Sequence, residues 1–257
     1  MEYFVIGATA FFASFITFFC GFGLGTILLP VFILYFPIDL AIALTAAVHF
    51  LNNVYKVFLV GKKANKEIVM KFGIPAVTAS LLGASTLLQL TGLGEIATYR
   101  LMEREFSVTA IKLAVSLLMI AFTLFEIIPT LRELSFNKKF LPLGGFLSGF
   151  LGGLSGHQGA LRSAFLIRCN LSKEEFIASG AAIACLVDFA RLFVYGNHFF
   201  YTDFSERAGI LLFSIAAAFL GTYLANRIFK KTTFRSVQII VSIMLFLIAF
   251  LLGLGLI

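Results

Sequence analysis

Runs of about 20 mainly apolar residues, the length an α-helix needs to cross a bilayer, recur along almost the whole chain. They fall at roughly 40–60, 69–91, 107–130, 175–196, 207–229 and 236–256. Two longer apolar regions, about 3–36 and 140–167, are interrupted by glycine. Hydrophobic residues make up 60% of the sequence and charged residues 13%, whereas a soluble domain carries about 25% charged residues. Too few polar groups exist to cover a surface in water, so the apolar faces must meet lipid. Alternation over ten-residue units is absent, which excludes a transmembrane barrel. The expected fold class is an all-α polytopic membrane protein.

The formal charge of +7 reads as a topology signal, because basic loops of membrane proteins face the cytoplasm and its anionic lipid. Nucleic acid is not an expected partner. Residues 1–20 carry Glu2 as their one charge and have no basic stretch ahead of the apolar run. They are therefore expected to belong to the mature protein. Cys20, Cys169 and Cys185 lie in or beside apolar segments without metal-ligand spacing, and are expected to pack as thiols. No cofactor or metal is expected, and no connecting loop is long enough for a soluble catalytic domain.

The two halves of the chain resemble each other. At an offset of 135, Ile42-Ala43-Leu44-Thr45-Ala46-Ala47-Val48 lies over Ile177-Ala178-Ser179-Gly180-Ala181-Ala182-Ile183. Leu51 then matches Leu186, Asn53 matches Asp188, Lys56 matches Arg191, Phe58 matches Phe193 and Gly61 matches Gly196. Leu82-Gly83-Ala84 against Leu220-Gly221-Thr222 extends the match with a small shift. The expected organisation is a repeat over 1–131, a charged cytoplasmic linker over 132–138 and a second repeat over 139–257. Lys62, Lys63, Lys66 and Lys71 make the loop after the second apolar segment basic, while its counterpart holds Asp203, Glu206 and Arg207. One loop further on the bias reverses, with Lys230, Lys231 and Arg235 in the second half. Corresponding loops then face opposite sides, as in an inverted repeat. Each half would combine three transmembrane helices with a glycine-rich broken or re-entrant helix, leaving both termini outside.

Polar residues inside these segments are the candidate site. The first glycine stretch runs from Gly21 through Gly23 and Gly25 to Pro30. The second includes Gly156, His157, Gln158, Gly159 and Arg162. Glycine permits unwinding, and an unwound turn exposes N–H groups that attract anions; the same glycines equally suit tight helix packing. A charge at the bilayer centre is costly, which marks Arg162 as a functional candidate. His49, Asn52, Asn53 and Lys56 recur at helical spacing, as do Asp188 and Arg191. Asp188 and Arg191 also suit a structural ion pair, Lys56 suits a snorkelling side chain, and His49 suits a packed histidine bonded to a backbone carbonyl. Taken together, the stripes face one central cavity with a positive balance, which suits an anion.

Gly21-Phe22-Gly23-Leu24-Gly25 with Pro30, its degenerate second copy, the Ala-rich matched helices and the chain length resemble the TauE/SafE sulfite-exporter family. The resemblance covers nearly the whole chain. It implies transport of a small anion, such as sulfite, an organosulfonate or another organic anion, across the bacterial inner membrane without ATP. The chain departs from the family pattern at Ser155-Gly156-His157-Gln158-Gly159, which is followed by Arg162 and Ala164 where a proline is usual.

The expected function is therefore a secondary transporter or facilitator in the lipid bilayer, not an enzyme. Arg162, Arg191, His157, Gln158, Asn53 and Lys56 would contact the substrate. Asp188 and His49 would orient or couple, and Gly21, Gly23, Gly25, Gly156 and Gly159 would act as backbone hinges. A homodimer is the expected assembly if the chain self-associates. The alternatives are a non-catalytic subunit of a larger membrane complex and an intramembrane enzyme. The latter has no His-Glu-x-x-His pattern or recognisable nucleophile context behind it.

Overall fold

Local chemistry sets the ends of the helices. Pro37 precedes the helix α3, Ile38–Val60, with Asp39 in its first turn, where a carboxylate complements the helix dipole. The Asn65 side chain accepts from the Ile68 N–H at 3.2 Å and caps α4, Lys66–Gly92. Ser172 and Glu175 form a reciprocal capping box at the start of α9, Lys173–Phe199: the Ser172 N–H donates to Glu175 at 2.8 Å, and the Glu175 N–H donates to Ser172 Oγ at 3.2 Å.

The computed structural model describes residues 1–20, 23–102, 104–132, 134–199, 204–228 and 235–257. The remaining helices among them are α1 (Glu2–Cys20), α2 (Leu24–Ile33), α5 (Ala110–Ile127), α6 (Pro129–Arg132), α7 (Leu141–Ser155), α8 (Gly159–Leu166), α10 (Phe204–Arg227) and α11 (Arg235–Gly253). Among the described residues, five helical stretches are long and apolar enough to span a membrane: Ile38–Lys63, Lys66–Gly92, Ala110–Ile127, Lys173–Gly196 and Arg207–Arg227. The chain is a helical multi-pass membrane protein.

The principal contacts are α4 with α7, α1 with α10, α3 with α9, α4 with α9, and α5 with α11. Each of these pairs joins a helix before residue 132 to one after it, so the two stretches share a core. Small residues make the closest approaches possible. A Cβ on Gly145, Gly149 or Gly153 of α7 would lie 2.2 Å from the carbonyl oxygens of Phe72, Ala76 and Ser80 on α4. Gly83 of α4 lies as tightly against the Phe150 carbonyl, and Gly221 of α10 against the Phe11 carbonyl of α1. Between helices in lipid, where no hydrophobic effect draws them together, such backbone-to-backbone packing supplies the attraction.

The outward faces are apolar. Phe58, Phe189, Phe193, Leu117 and Leu212 are exposed, while Asp188 and Arg191 are fully buried. This reverses the arrangement of a soluble protein.

One element departs from the all-helical expectation. The strands β1 (Glu95–Leu101) and β2 (Arg104–Thr109) form an antiparallel hairpin between α4 and α5. The apolar segment expected at 107–130 accordingly starts as a strand, and its helix runs from 110 to 127. Threonines and aromatic residues favour extended backbone here. The Tyr99 hydroxyl also anchors the ribbon by donating to the Leu254 carbonyl at 2.6 Å.

Candidate functional site

Two helix interruptions meet at the centre of the molecule. The first separates α1 from α2, where Gly23 has a φ of 111°. Gly21 lies outside the described residues, as do Asp203, Lys230 and Lys231 of the loops. The second separates α7 from α8, where Gly156 has a φ of 82° and its N–H donates to the Gly152 carbonyl at 2.8 Å. Glycine adopts this left-handed conformation without strain, so it ends α7 at that point. A Cβ at Gly25 would sit 3.6 Å from the Gly156 carbonyl and 3.7 Å from the His49 ring. The two breaks thus lie against each other, beside His49 of α3.

The matched helices deliver charge to the same place. On α9, Asp188 accepts from Arg191 Nε at 3.0 Å, and Arg191 Nη2 lies 2.9 Å from the same oxygen. The other carboxylate oxygen accepts from His49 Nδ1 at 2.6 Å. His49 is therefore not the carbonyl-bonded packing histidine that its surroundings in sequence suggest. Its partner is a carboxylate on the opposite half, because the α3–α9 contact brings the two polar faces together. The Asn53 amide donates to the His49 backbone carbonyl at 2.8 Å and secures that turn of α3.

Gln158 joins the break to this pair. Its amide nitrogen donates to Asp188 at 3.3 Å, and its amide oxygen accepts from Arg162 Nη1 at 3.4 Å. The Ser148 hydroxyl donates to the Gln158 carbonyl at 3.0 Å, holding the turn in place. Arg162, Gln158, Asp188, Arg191 and His49 therefore form one connected polar chain. Lys56 is buried one turn beyond Asn53, not extended toward solvent, and Arg162 is 3% exposed, so neither side chain snorkels. The two polar stripes meet directly, since the carboxylate of one bonds the imidazole of the other. Gly159 opens α8, where its carbonyl accepts from Ser163.

Spare hydrogen-bonding capacity gathers around the breaks. Among the described residues no acceptor meets Arg191 Nη1, which lies 2.7 Å from where a Gly156 Cβ would stand. His157 Nε2 and the Thr45 and Thr17 hydroxyls are likewise buried without a hydrogen-bond partner. Buried polar atoms without partners are uncommon in native proteins and need a reason. Here these groups border a site carrying more cations than acids.

The sequence reading passes over several contributors. Tyr195 is buried and its hydroxyl donates to the Gly153 carbonyl; its place four residues after Arg191, on the same helical face, is the signal that would find it. Thr222 donates to Asn52 at 2.8 Å, linking α10 to α3. Glu126, an acid inside an apolar run, lies on α5 away from this chain of contacts.

A family model described as Sulfite exporter TauE/SafE matches residues 6–252. No curated protein and no solved structure matches the chain.

Proposed function

The chain belongs to the sulfite exporter TauE/SafE family, a family of membrane anion transporters, and from that premise we propose that it is a secondary transporter or facilitator. Its substrate is a small sulfur-containing or organic anion carried across the bacterial inner membrane. The observation that carries this reading is the convergence of Arg191, Asp188 and His49 on the facing breaks at Gly25 and Gly156. A cationic centre lined by unpartnered donors and flexible backbone is what an anion needs at membrane depth.

Residues 1–131 and 139–257 act as inverted repeats joined by the linker at 132–138, each with a re-entrant broken helix. Supporting this, α4 packs on α7 as α10 packs on α1, with Gly83 and Gly221 in corresponding close approaches. Arg162, Arg191, His157, Gln158, Asn53 and Lys56 bind the anion. Asp188 holds Arg191 and His49 while the site is empty, and yields them when an anion arrives. Gly21, Gly23, Gly25, Gly156 and Gly159 let the backbone move as the halves rock. The alternative of a non-catalytic complex subunit does not account for a buried chain of arginine, glutamine and aspartate, and transporter membership argues against an enzyme.

The test is flux in liposomes containing purified protein, with sulfite, sulfate, thiosulfate, sulfoacetate and simple carboxylates. Saturable flux of one anion, lost in Arg162→Ala at equal protein in the membrane, is the expected result. Unchanged flux in that variant would sink the site assignment, and no flux of any anion would sink the function.

A further inference from the structure

Glu126 is the acid that the central site does not use. It lies one residue from the end of α5, inside a stretch whose other charge is Lys112 at the opposite end. Its carboxylate accepts a hydrogen bond from the Ser242 hydroxyl of α11 at 3.5 Å, and it belongs to none of the ion pairs formed among the described residues. A carboxylate held in an apolar setting by one long bond is costly as an anion and easily accommodated as a neutral acid. A purely structural role would call for a cation or several donors, and neither is seen among the described residues. The residue is half-buried, so a proton can reach it from outside the core.

One helical turn nearer the middle stand Phe122 and Thr123, on the same face of α5 as Glu126. Phe122 stacks on the His157 ring, with centroids 5.6 Å apart and planes 17° from parallel. Thr123 Oγ1 and His157 Nε2 are both buried without a hydrogen-bond partner. The other ring nitrogen of His157, Nδ1, lies 3.2 Å from the Ser155 carbonyl. A carbonyl only accepts, so Nδ1 carries the hydrogen and Nε2 presents a lone pair. Glu126 and Thr123 thus lie on α5 beside the Phe122 ring that stacks on His157, which places three groups able to pass or accept a proton on adjoining elements.

We propose that Glu126 is a proton-carrying carboxyl that charges His157 through Thr123 and so couples anion movement to proton movement. This rests on the transport reading above and names its coupling ion. In the step, the O–H bond of the Glu126 carboxyl breaks and its proton passes to the Thr123 hydroxyl. That hydroxyl releases its own proton to His157 Nε2, with water relaying it where side chains do not touch. The products are a Glu126 carboxylate and a His157 imidazolium, and total charge is unchanged. The imidazolium adds a positive charge beside Arg191, strengthening the site for an anion. His157 then gives up its proton to the side on which the anion leaves, and the Glu126 carboxylate takes up another from the side on which the anion entered. Of the ionisable groups on elements packed against α5, Arg162 on α8 is engaged with Gln158 and His49 on α3 with Asp188, Lys56 on α3 is buried, and Arg104 and Glu105 on β2 are exposed. Glu67, near the start of α4, is held by Lys71 at 2.8 Å and Lys138 at 3.3 Å. α11 presents Ser242.

The experiment uses the whole chain in liposomes with a pH-sensitive dye inside, supplied with whichever of sulfite, thiosulfate or sulfoacetate the wild type carries. Protein-free liposomes give the background. Wild type should acidify the lumen as the anion enters. Glu126→Gln should reduce that proton signal about tenfold or more while anion-for-anion exchange changes by less than about twofold. Glu126→Asp should restore part of the signal, and Thr123→Val, which keeps the shape of the side chain, should lower it independently. A proton signal in Glu126→Gln and Thr123→Val equal to wild type overturns the proposal, as does anion uptake by wild type without any proton. No wild-type flux of any anion would overturn the transport reading, and the proposal with it.

Discussion

His49 Nδ1 and Asp188 Oδ2 lie 2.6 Å apart, a contact between α3 and α9 that bridges 139 positions of sequence and is closed to solvent. On its other oxygen Asp188 holds Arg191. One carboxylate therefore secures two basic groups from opposite halves of the chain.

Removing that carboxylate leaves Arg191 buried without its counter-charge. Breaking a buried pair from one side costs about 3–5 kcal/mol, whereas replacing both partners by apolar residues of similar volume is often close to neutral. Asp188→Leu should therefore be strongly destabilised in detergent, and Asp188→Leu with Arg191→Met much less so. Unfolding curves for the two variants check this. Equal losses would mean that the pair is not the source of the stability.

Helix packing makes a second prediction. A Cβ at Gly149 would stand 2.2 Å from the Ala76 carbonyl oxygen and 2.5 Å from the Ala76 Cα, both rigid backbone atoms. Gly149→Val must push α7 off α4, at a cost of about 1–3 kcal/mol typical of overpacking. At Gly92, by contrast, nothing lies within 4 Å, so Gly92→Ala should be neutral or slightly stabilising. Thermal melts of both variants, read as residual monodisperse protein, give the comparison.

At the second break, conformation and space act together. Gly156 has a φ of 82°, and a Cβ there would approach Arg191 Nη1 to 2.7 Å. Left-handed backbone costs an ordinary residue about 1–2 kcal/mol, and the arginine must also shift. Gly156→Ala should therefore lower anion flux by about tenfold, the rate equivalent of 1.4 kcal/mol. Gly25→Ala, whose Cβ would meet its neighbours at 3.6 Å or more, should keep most of its flux. Equal flux from the two variants would show that the geometry at Gly156 is not used in transport.

The hairpin should be separable from transport. Tyr99→Phe removes the hydroxyl that bonds the Leu254 carbonyl, a change worth about 1 kcal/mol. Amide exchange in 95–109 should quicken, while flux stays at the wild-type level. A large fall in flux would tie the ribbon to the transport cycle.

Much of this architecture is legible in the chain because the strongest physical constraint is the coarsest one. Apolar stretches of spanning length, and charges that do not belong in them, point to α3, α4, α9 and α10 and to the polar faces of Asn53, Lys56, Asp188 and Arg191. The hairpin is not legible in the same way. Glu95, Thr98, Arg100 and Glu105 give it the composition of a polar loop, and its pairing becomes evident only in the register of the two strands. The partner of His49 is hidden for another reason: local spacing offers a backbone carbonyl, while the carboxylate it binds arrives through tertiary packing. Glu126 is visible as an acid in an apolar run, but its relation to His157 depends on a ring contact between α5 and the α7–α8 break.

The central claim is that both halves build a single anion site, with His49 from the first and Arg162, Arg191 and Asp188 from the second. Calorimetric titration of sulfite, and in turn thiosulfate and sulfoacetate, into purified protein tests it most directly. The account predicts saturable binding of one anion per chain, lost in Arg162→Ala and in Arg191→Gln. Binding of two anions per chain, or affinity unchanged in both variants, would contradict it.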